Sequence, residues 1–457
     1  MHHTDETIAA LATPPGEGAL AVLRLSGPGA RDALLALAPP ATALRPRYLH
    51  HLALVAPSGA ALDEVLAAWM PAPHSYTGED VVEIYTHGGP VTVRALLDAL
   101  FALGLRAAEP GEFTYRAFLS GRLDLIQAEA VGELIGSRSD AARRLALEQL
   151  GGSLSRRLAP LSRRLLELLR DLEAAIDFAD EDIEFVDRAT VAATVEALRD
   201  DMATLLGGAE GGRLLREGVS VALVGAPNVG KSSLFNALLG EERAIVTEEP
   251  GTTRDLLQES WVRGGVVFHL QDTAGQREAE GAAERLGVER GRDAAARAGL
   301  ALRVCDGTRV PESEERAAIA ALDPGRELLL VNKADLAACD PAPYAALAPA
   351  GTVVLVLSAR CGTGLEALQA QLLALATGGR ATDALQLDFA LNRRQAARLR
   401  AAHDVLAALD ANTLATLETE LLARALREAL AALDELSGRE LSESVLAEIF
   451  STFCVGK

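Results

Sequence analysis

Apolar and polar positions change their rhythm several times along the 457 residues. Between Thr7 and about Gly121, short β-like runs alternate with turns rich in Gly and Pro; Leu20-Ala21-Val22-Leu23-Arg24-Leu25 and Val81-Val82-Glu83-Ile84-Tyr85 are examples. One helical run over 91–103 interrupts them, and the pattern predicts a small α+β domain. From about Leu123, Leu, Ala and Ile recur at three-to-four spacing with Arg and Glu between them. This predicts long helices over 123–150 and 154–178 and a further one over 189–206. Gly207-Gly208-Ala209-Glu210-Gly211-Gly212 then reads as a flexible joint. From Val219 to about Ala376 strands alternate with helices, the signature of a doubly wound parallel sheet. The expected strands are 219–224, 266–271, 300–305, 327–331 and 352–357. After a Gly378-Gly379 joint, helical periodicity returns over 392–450. The economical arrangement is an α/β domain (217–378) inserted into an all-α helical domain (122–216 and 379–457), behind an N-terminal α+β domain (1–121).

Composition adds limits. Ala and Leu dominate the apolar content and aromatics make up only 4%, which favours helices. A net charge of −20 argues against a broad basic face gripping nucleic acid, while leaving room for a local basic patch or a transient RNA substrate. Asp177 and Asp180-Glu181-Asp182-Ile183-Glu184 read as a solvated acidic elbow. Cys305, Cys339, Cys361 and Cys454 form no C-x-x-C pair, so neither a zinc site nor a disulfide framework is indicated. The start lacks the charged and apolar regions of a secretory signal, and no apolar run approaches the ~18 residues of a membrane span. A cytoplasmic chain is the expectation.

The chemistry concentrates in the α/β region. Gly225-Ala226-Pro227-Asn228-Val229-Gly230-Lys231-Ser232 matches G-x-x-x-x-G-K-[ST] between an expected strand and helix. Glycines there let backbone N–H groups converge on phosphate oxygens, Lys231 neutralises the β/γ-phosphates, and Ser232 offers a hydroxyl to magnesium. Asp272-Thr273-Ala274-Gly275 follows an apolar strand, putting a carboxylate near the magnesium shell and the Gly275 amide near a γ-phosphate. Asn332-Lys333-Ala334-Asp335 supplies a carboxylate that accepts from guanine N1–H and its exocyclic amine, a donor pair adenine lacks. Ser358-Ala359-Arg360 fits a loop supporting the base. Gly251-Thr252-Thr253-Arg254-Asp255 lies where a first switch belongs, with a threonine that completes the magnesium shell only beside a γ-phosphate. The expected nucleotide is GTP.

The remaining motifs single out a family. Thr13-Pro14-Pro15-Gly16, Tyr76-Thr77-Gly78-Glu79-Asp80, His87-Gly88-Gly89-Pro90, Pro110-Gly111-Glu112-Phe113 and Phe453-Cys454-Val455-Gly456-Lys457, in this domain order, closely resemble the MnmE (TrmE) tRNA modification GTPases over essentially the full length. The resemblance implies an N-terminal folate-binding domain, a Ras-like P-loop GTPase insertion and a homodimer joined through the N-terminal domains. It also implies a flavoprotein partner, MnmG (GidA), in a heterotetramer or larger complex. Together they would build a carboxymethylaminomethyl or aminomethyl group at C5 of the wobble uridine of certain tRNAs. Arg24, Glu83, Arg122 and Lys457 match the family's contacts to 5-formyl-tetrahydrofolate (or a related formyl or methylene folate), with Arg122 standing where lysine is common. The GTP set implied is Asn228, Val229, Gly230, Lys231, Ser232 and Ser233; Thr247, Glu248, Glu249, Pro250, Gly251, Thr252 and Thr253; Asp272, Thr273, Ala274 and Gly275; Asn332, Lys333, Ala334 and Asp335; and Ser358, Ala359 and Arg360. Hydrolysis in the family uses facing G domains and a potassium ion, whose ligands match Asn228, Thr247, Glu249 and Thr252; Ser232 and Thr253 match the magnesium ligands. Glu284 matches the glutamate that orients the attacking water. Directly after Gly275, however, the chain carries Gln276 where the family usually has an aliphatic residue, at the position Ras-like enzymes use for that same task.

Other residues stay open. Cys454 is a candidate thiolate that adds to C6 of a pyrimidine, or a small residue packing the tail. His87 beside two glycines reads mainly as structural, as do Cys305 and Cys361. Rival functions are a ribosome-assembly or translation-associated switch without covalent chemistry, and a folate enzyme that its GTPase domain regulates.

Overall fold

The computed structural model describes residues 5–40, 42–177, 187–240, 258–272, 298–379 and 389–456. Two compact units emerge. One comprises Met1–Ile135, Gln149–Asp201 and Ala397–Lys457; the other comprises Gly136–Glu148 and Met202–Ala396.

In the first unit, β1 (Ile8–Leu11), β2 (Gly18–Ser26), β3 (His50–Val55), β4 (Ala61–Met70), β5 (Val81–Gly88) and β6 (Arg106–Ala107) form a sheet of order β3-β4-β5-β2-β1-β6. All neighbours are antiparallel except β1 and β6. Alternate residues of β2 and β5, among them Leu23, Leu25, Val82 and Ile84, point into a core shared with the helices Ala30–Leu37 and Pro90–Ala102. The helix expected over 91–103 is thus the second of these, opened by Pro90 at its first turn; Ala30–Leu37 and Glu112–Leu119 are additional. The helix Ser153–Asp177 buries Leu154, Leu158, Leu161, Leu165, Leu168 and Leu172 along one stripe and packs on Thr419–Ser437, which buries Leu422, Leu426, Leu433 and Leu436.

Two helical expectations are corrected. The single helix over 123–150 is two, Leu125–Gly136 and Asp140–Leu150. The break is chemical: Ser139 caps the second, its Oγ accepting from the Ala142 N–H at 3.1 Å. The flexible joint over 207–212 is instead entered by the helix Ala209–Glu217. Gly212 serves close approach there, since a Cβ would lie 2.0 Å from the Ala390 Cβ.

In the second unit, β7 (Val219–Val224), β8 (Gln258–Arg263), β9 (Val266–Asp272), β10 (Leu300–Asp306), β11 (Glu327–Asn332) and β12 (Val354–Val356) run in the order β12-β11-β10-β7-β9-β8. Every neighbouring pair is parallel except β8–β9, a hairpin closed by Gly264 (φ 57) and Gly265 (φ 82). The doubly wound, mostly parallel sheet was expected; the antiparallel edge strand β8 was not, and β12 is shorter than 352–357. The order reverses beside β7, and ligands of open α/β sheets bind at the carboxyl ends of the strands at that point. Among the described residues no helix is long and apolar enough to cross a membrane.

Candidate functional site

The buried strand β7 delivers the phosphate loop, and its neighbours dictate the glycines. At Gly225 (φ 151) a Cβ would lie 2.2 Å from the Val304 carbonyl oxygen of β10. At Gly230 (φ 101) it would lie 2.2 Å from Asn332 Nδ2. Asn228 adopts φ 61, a left-handed conformation that asparagine tolerates better than most residues. Lys231 opens the helix Lys231–Leu239, is 8% exposed, and donates from Nζ to the Gly225 and Ala226 carbonyls at 2.8 Å each. Ser232 and Ser233 are exposed in the helix's first turn.

Asn332, at the end of β11, ties this loop to its neighbours. Its Nδ2 donates to the Val229 carbonyl at 2.8 Å and its Oδ1 accepts from the Ala359 N–H at 3.0 Å, all of it buried. Lys333, at φ 71, donates to Asp306 Oδ2 at 2.5 Å. Burial pushes the Asp306 carboxyl up, but hydrogen bonds from Lys333 and Thr308 outweigh it and hold the group below its ordinary range. Asp335 is exposed. The Ser358 hydroxyl donates to its Oδ1 at 2.6 Å and, with its own backbone N–H and the positive Arg360 and Lys333, lowers its pKa. Arg360 and Ala334 lie in the same two loops. The segments 225–232, 332–335 and 358–360 therefore gather at one end of the sheet. The β9 strand ends at Asp272 at that same end, Asp272 pairing in register with Leu223. The Asp272 side chain, Thr247, Glu248, Glu249, Pro250, Gly251, Thr252, Thr253, Thr273, Ala274, Gly275, Gln276 and Glu284 lie outside the described residues.

The N-terminal candidates meet in the first unit. Arg24 and Glu83 face each other in register across β2 and β5, with Arg24 Nε and Nη2 donating to Glu83 Oε1 at 3.0 and 2.8 Å. Tyr85 donates to Glu83 Oε2 at 2.8 Å. The Arg24 guanidinium sits 5.3 Å from the Tyr76 ring centre and 5.8 Å from that of Phe113, and its Nη1 donates to the Gly456 carbonyl at 3.2 Å. The tail is held by backbone: the Gly111 N–H donates to the Cys454 carbonyl at 3.4 Å, and a Cβ at Gly456 would lie 2.3 Å from the Leu11 carbonyl. Cys454 itself is exposed, so packing of its side chain is not what seats the tail. Arg122 is exposed, with its Cγ 3.5 Å from where a Gly78 Cβ would stand; Lys457 lies outside the described residues. His87 accounts for itself structurally, its ring and N–H both on Asp63 at 2.8 and 2.9 Å. Cys305 is buried in β10, its thiol pushed up first by burial and then by Glu315.

Sequence reasoning missed the Gly456 carbonyl on Arg24, the Asp306 partner of Lys333, and an ion network behind the site. Arg116, with its side chain 1% exposed, bridges Glu112 at 3.0 Å and Glu79 at 3.0 Å, and Arg106 reaches the same Glu112. A signal existed: Glu112 and Arg116 stand four apart on one helix.

Comparison with known proteins decides the family. The GTP-binding protein TrmE N-terminus model matches residues 7–122, and the MnmE helical domain model matches 125–454. The tRNA modification GTPase MnmE of Methylococcus capsulatus is 42% identical over 459 residues, covering 99% of each chain. The chain belongs to the MnmE family. MnmE of Aquifex aeolicus is 41% identical over 99% of this chain and all of its own, and MnmE of Laribacter hongkongensis 43% identical over 100% of both. The nucleotide loops, Arg24 and Glu83 lie within the matched spans, and Gly456 lies just beyond them.

Proposed function

We propose that this chain is a GTP hydrolase of tRNA modification, with 217–378 as the GTPase domain, 122–216 and 379–457 as the helical domain, and 1–121 as the N-terminal domain. Lys231 exchanges its two loop carbonyls for β- and γ-phosphate oxygens, a trade of acceptors at fixed position. The Gly225 to Ser232 loop fits a phosphate, because it joins β7 to the N-terminus of the helix Lys231–Leu239 with Lys231 at its base, while Val304 and Asn332 fill the space a side chain at Gly225 or Gly230 would need. Ser232 would hold magnesium together with Thr253, and the ion would supply charge neutralisation to the phosphates. Asp335 selects guanine. The observation carrying this reading is the Asn332 side chain, which fixes the phosphate loop against the base-side loop.

The finer reading follows the family. Asn228, Thr247, Glu249 and Thr252 would hold a potassium ion, which would supply the positive charge that a separate activating arginine supplies elsewhere, and Glu284 would orient the water. Arg24, Glu83, Arg122 and Lys457 hold a formyl-tetrahydrofolate, with the Arg24–Glu83 pair fitting the polar edge of a pterin. The chain acts as a homodimer with MnmG on the wobble uridine of tRNA in the cytoplasm. Leu20, Leu49 and Leu66 are exposed around a shallow cavity of about 210 Å³ on the N-terminal sheet, an apolar face suited to a second copy. Cys454, exposed, is open to chemistry.

Nucleoside mass spectrometry of tRNA from a strain lacking the gene is expected to show loss of the C5 substituent on the wobble uridine, restored by the gene; an intact modification would defeat the reading. Single-turnover hydrolysis should be faster in potassium than in sodium at equal ionic strength, and should fall further in Glu284→Ala than in Gln276→Ala. Equal rates in the two salts, or a larger loss in the Gln276 variant, would reverse those assignments.

A further inference from the structure

In the second unit, a line of hydrogen bonds runs between segments far apart in the chain. Arg138 Nη1 donates to Ser260 Oγ at 3.3 Å, Ser260 Oγ is 3.0 Å from His269 Nδ1, and His269 Nε2 is 2.9 Å from the Glu217 carbonyl. The donors can be assigned. A carbonyl only accepts, so Nε2 carries a hydrogen. Burial pushes the His269 pKa down; the Glu217 bond opposes this and the Arg138 charge adds to it, so the ring is neutral at pH 7. Nδ1 therefore accepts from the Ser260 hydroxyl, whose lone pairs accept from Arg138. Every group has one direction, from Arg138 to Glu217.

The two ends of this line matter. Arg138 belongs to Gly136–Glu148, a short excursion of the chain into the second unit between stretches that belong to the first. The excursion also touches the hairpin tip: a Cβ at Gly265 would lie 3.0 Å from the Ala141 Cβ, and Ala141 packs on the sheet's core. Glu217 is the last residue of its helix and is separated only by Gly218 from β7, which carries the phosphate loop. Between these ends lies the hairpin. In sequence β8 directly follows the stretch holding Gly251-Thr252-Thr253, and β9 ends on Asp272, so both segments expected to sense a γ-phosphate are covalently attached to it.

We propose that Arg138, Ser260 and His269 are positioning residues that hold the Gly136–Glu148 excursion on the β8–β9 hairpin, so that the nucleotide state is passed to the helical chain on either side of the excursion. None of them touches nucleotide, so hydrolysis proceeds without them, and what they govern is transmission. The part of this concerning tRNA rests on the function proposed above; transmission itself does not.

The test uses the full chain with two readouts. Hydrogen exchange of the amides of Gly136–Glu148, compared between GDP and a non-hydrolysable GTP analogue, is expected to differ in the wild type. That difference should vanish in Arg138→Ala and in Ser260→Ala, with the double variant no different from either single one. GTP turnover should stay within about twofold while tRNA modification, assayed with the flavoprotein partner, falls about tenfold, and Arg138→Lys should recover part of it. Identical exchange in both nucleotides, a difference that survives in the variants, or turnover lost in step with modification would overturn the proposal. Should the wild type leave tRNA unmodified while the exchange difference holds, the functional reading fails and the relay stands.

Discussion

Asp335→Asn is expected to weaken GTP binding about 100- to 10,000-fold and to raise the affinity for xanthosine triphosphate. The wild-type carboxylate is exposed, ionised and oriented by the Ser358 hydroxyl on Oδ1. Against guanine it accepts from N1–H and the 2-amino group, two charge-assisted hydrogen bonds that a site built for them loses together. An amide accepts through only one end and presents N–H to the guanine amine through the other, so one bond weakens and one becomes a donor–donor clash. Xanthine carries an oxygen at that position and turns the clash into a bond. The loop itself is spared, because Asn332 and Lys333 keep their own partners, Val229, Ala359 and Asp306. Competition titration of a fluorescent nucleotide with the two triphosphates reads the ratio directly. A ratio unchanged by the substitution would show that Asp335 is not what reads the base.

The second large effect is on stability. Glu112→Ala should destabilise the N-terminal domain by about 3–5 kcal/mol at pH 7, because it strands charge that the fold has already buried. The Glu112 side chain is 0% exposed and that of Arg116 1%. Burial pushes the Glu112 carboxyl up, yet Arg106, the Glu109 N–H and Arg116 together bring it below its ordinary value of 4.5. A carboxyl lowered on folding contributes stability that is complete above the unfolded pKa and disappears as pH falls through the folded one. The gap between wild type and variant should therefore be widest at neutral pH and close under acid. The chain has two tryptophans, Trp69 and Trp261, so in a Trp261→Phe background the emission of Trp69, whose Nε1 reaches Asp80 at 3.4 Å, reports on this domain in the intact protein. Urea transitions that coincide at pH 7 would refute the assignment; a gap that persists at pH 2 would refute its ionic origin.

What the sequence made visible follows from how local each signal is. The strand Val219–Val224 matches its expected bounds to the residue, and β9, β10 and β11 each run one residue beyond their expected ends. These strands are mostly apolar and largely buried, and motifs bound them. The edge strand β8 escaped notice because it is polar and because its consecutive Ser260 and Trp261 are both buried, which erases the alternation a half-buried strand should show. The Gly264-Gly265 pair before Val266 was the available sign of a hairpin. Likewise Ser139-Asp140 marked a helix start inside a run of unbroken periodicity. Gly212 misled because glycine permits both flexibility and contact, and only the position of Ala390 distinguishes them. The nucleotide loops were legible as motifs, each spelling its own chemistry within a few residues. Partnerships across the chain were not: Lys333 with Asp306, or Arg116 with Glu79, depend on registers that no local pattern encodes.

The bond from Arg24 to the Gly456 carbonyl has a consequence for how the protein comes into being. Its two ends are separated by 432 positions, which at ribosomal speed is a delay of about 20 to 90 s. Throughout that interval the nascent N-terminal sheet must exist with Arg24 lacking one of its acceptors and with the shelf beside Leu11 and Gly111 uncovered. The domain made first is thus finished by a segment made far later, and its Arg24 pocket acquires its full shape only after the intervening helices and the GTPase sheet have been synthesised.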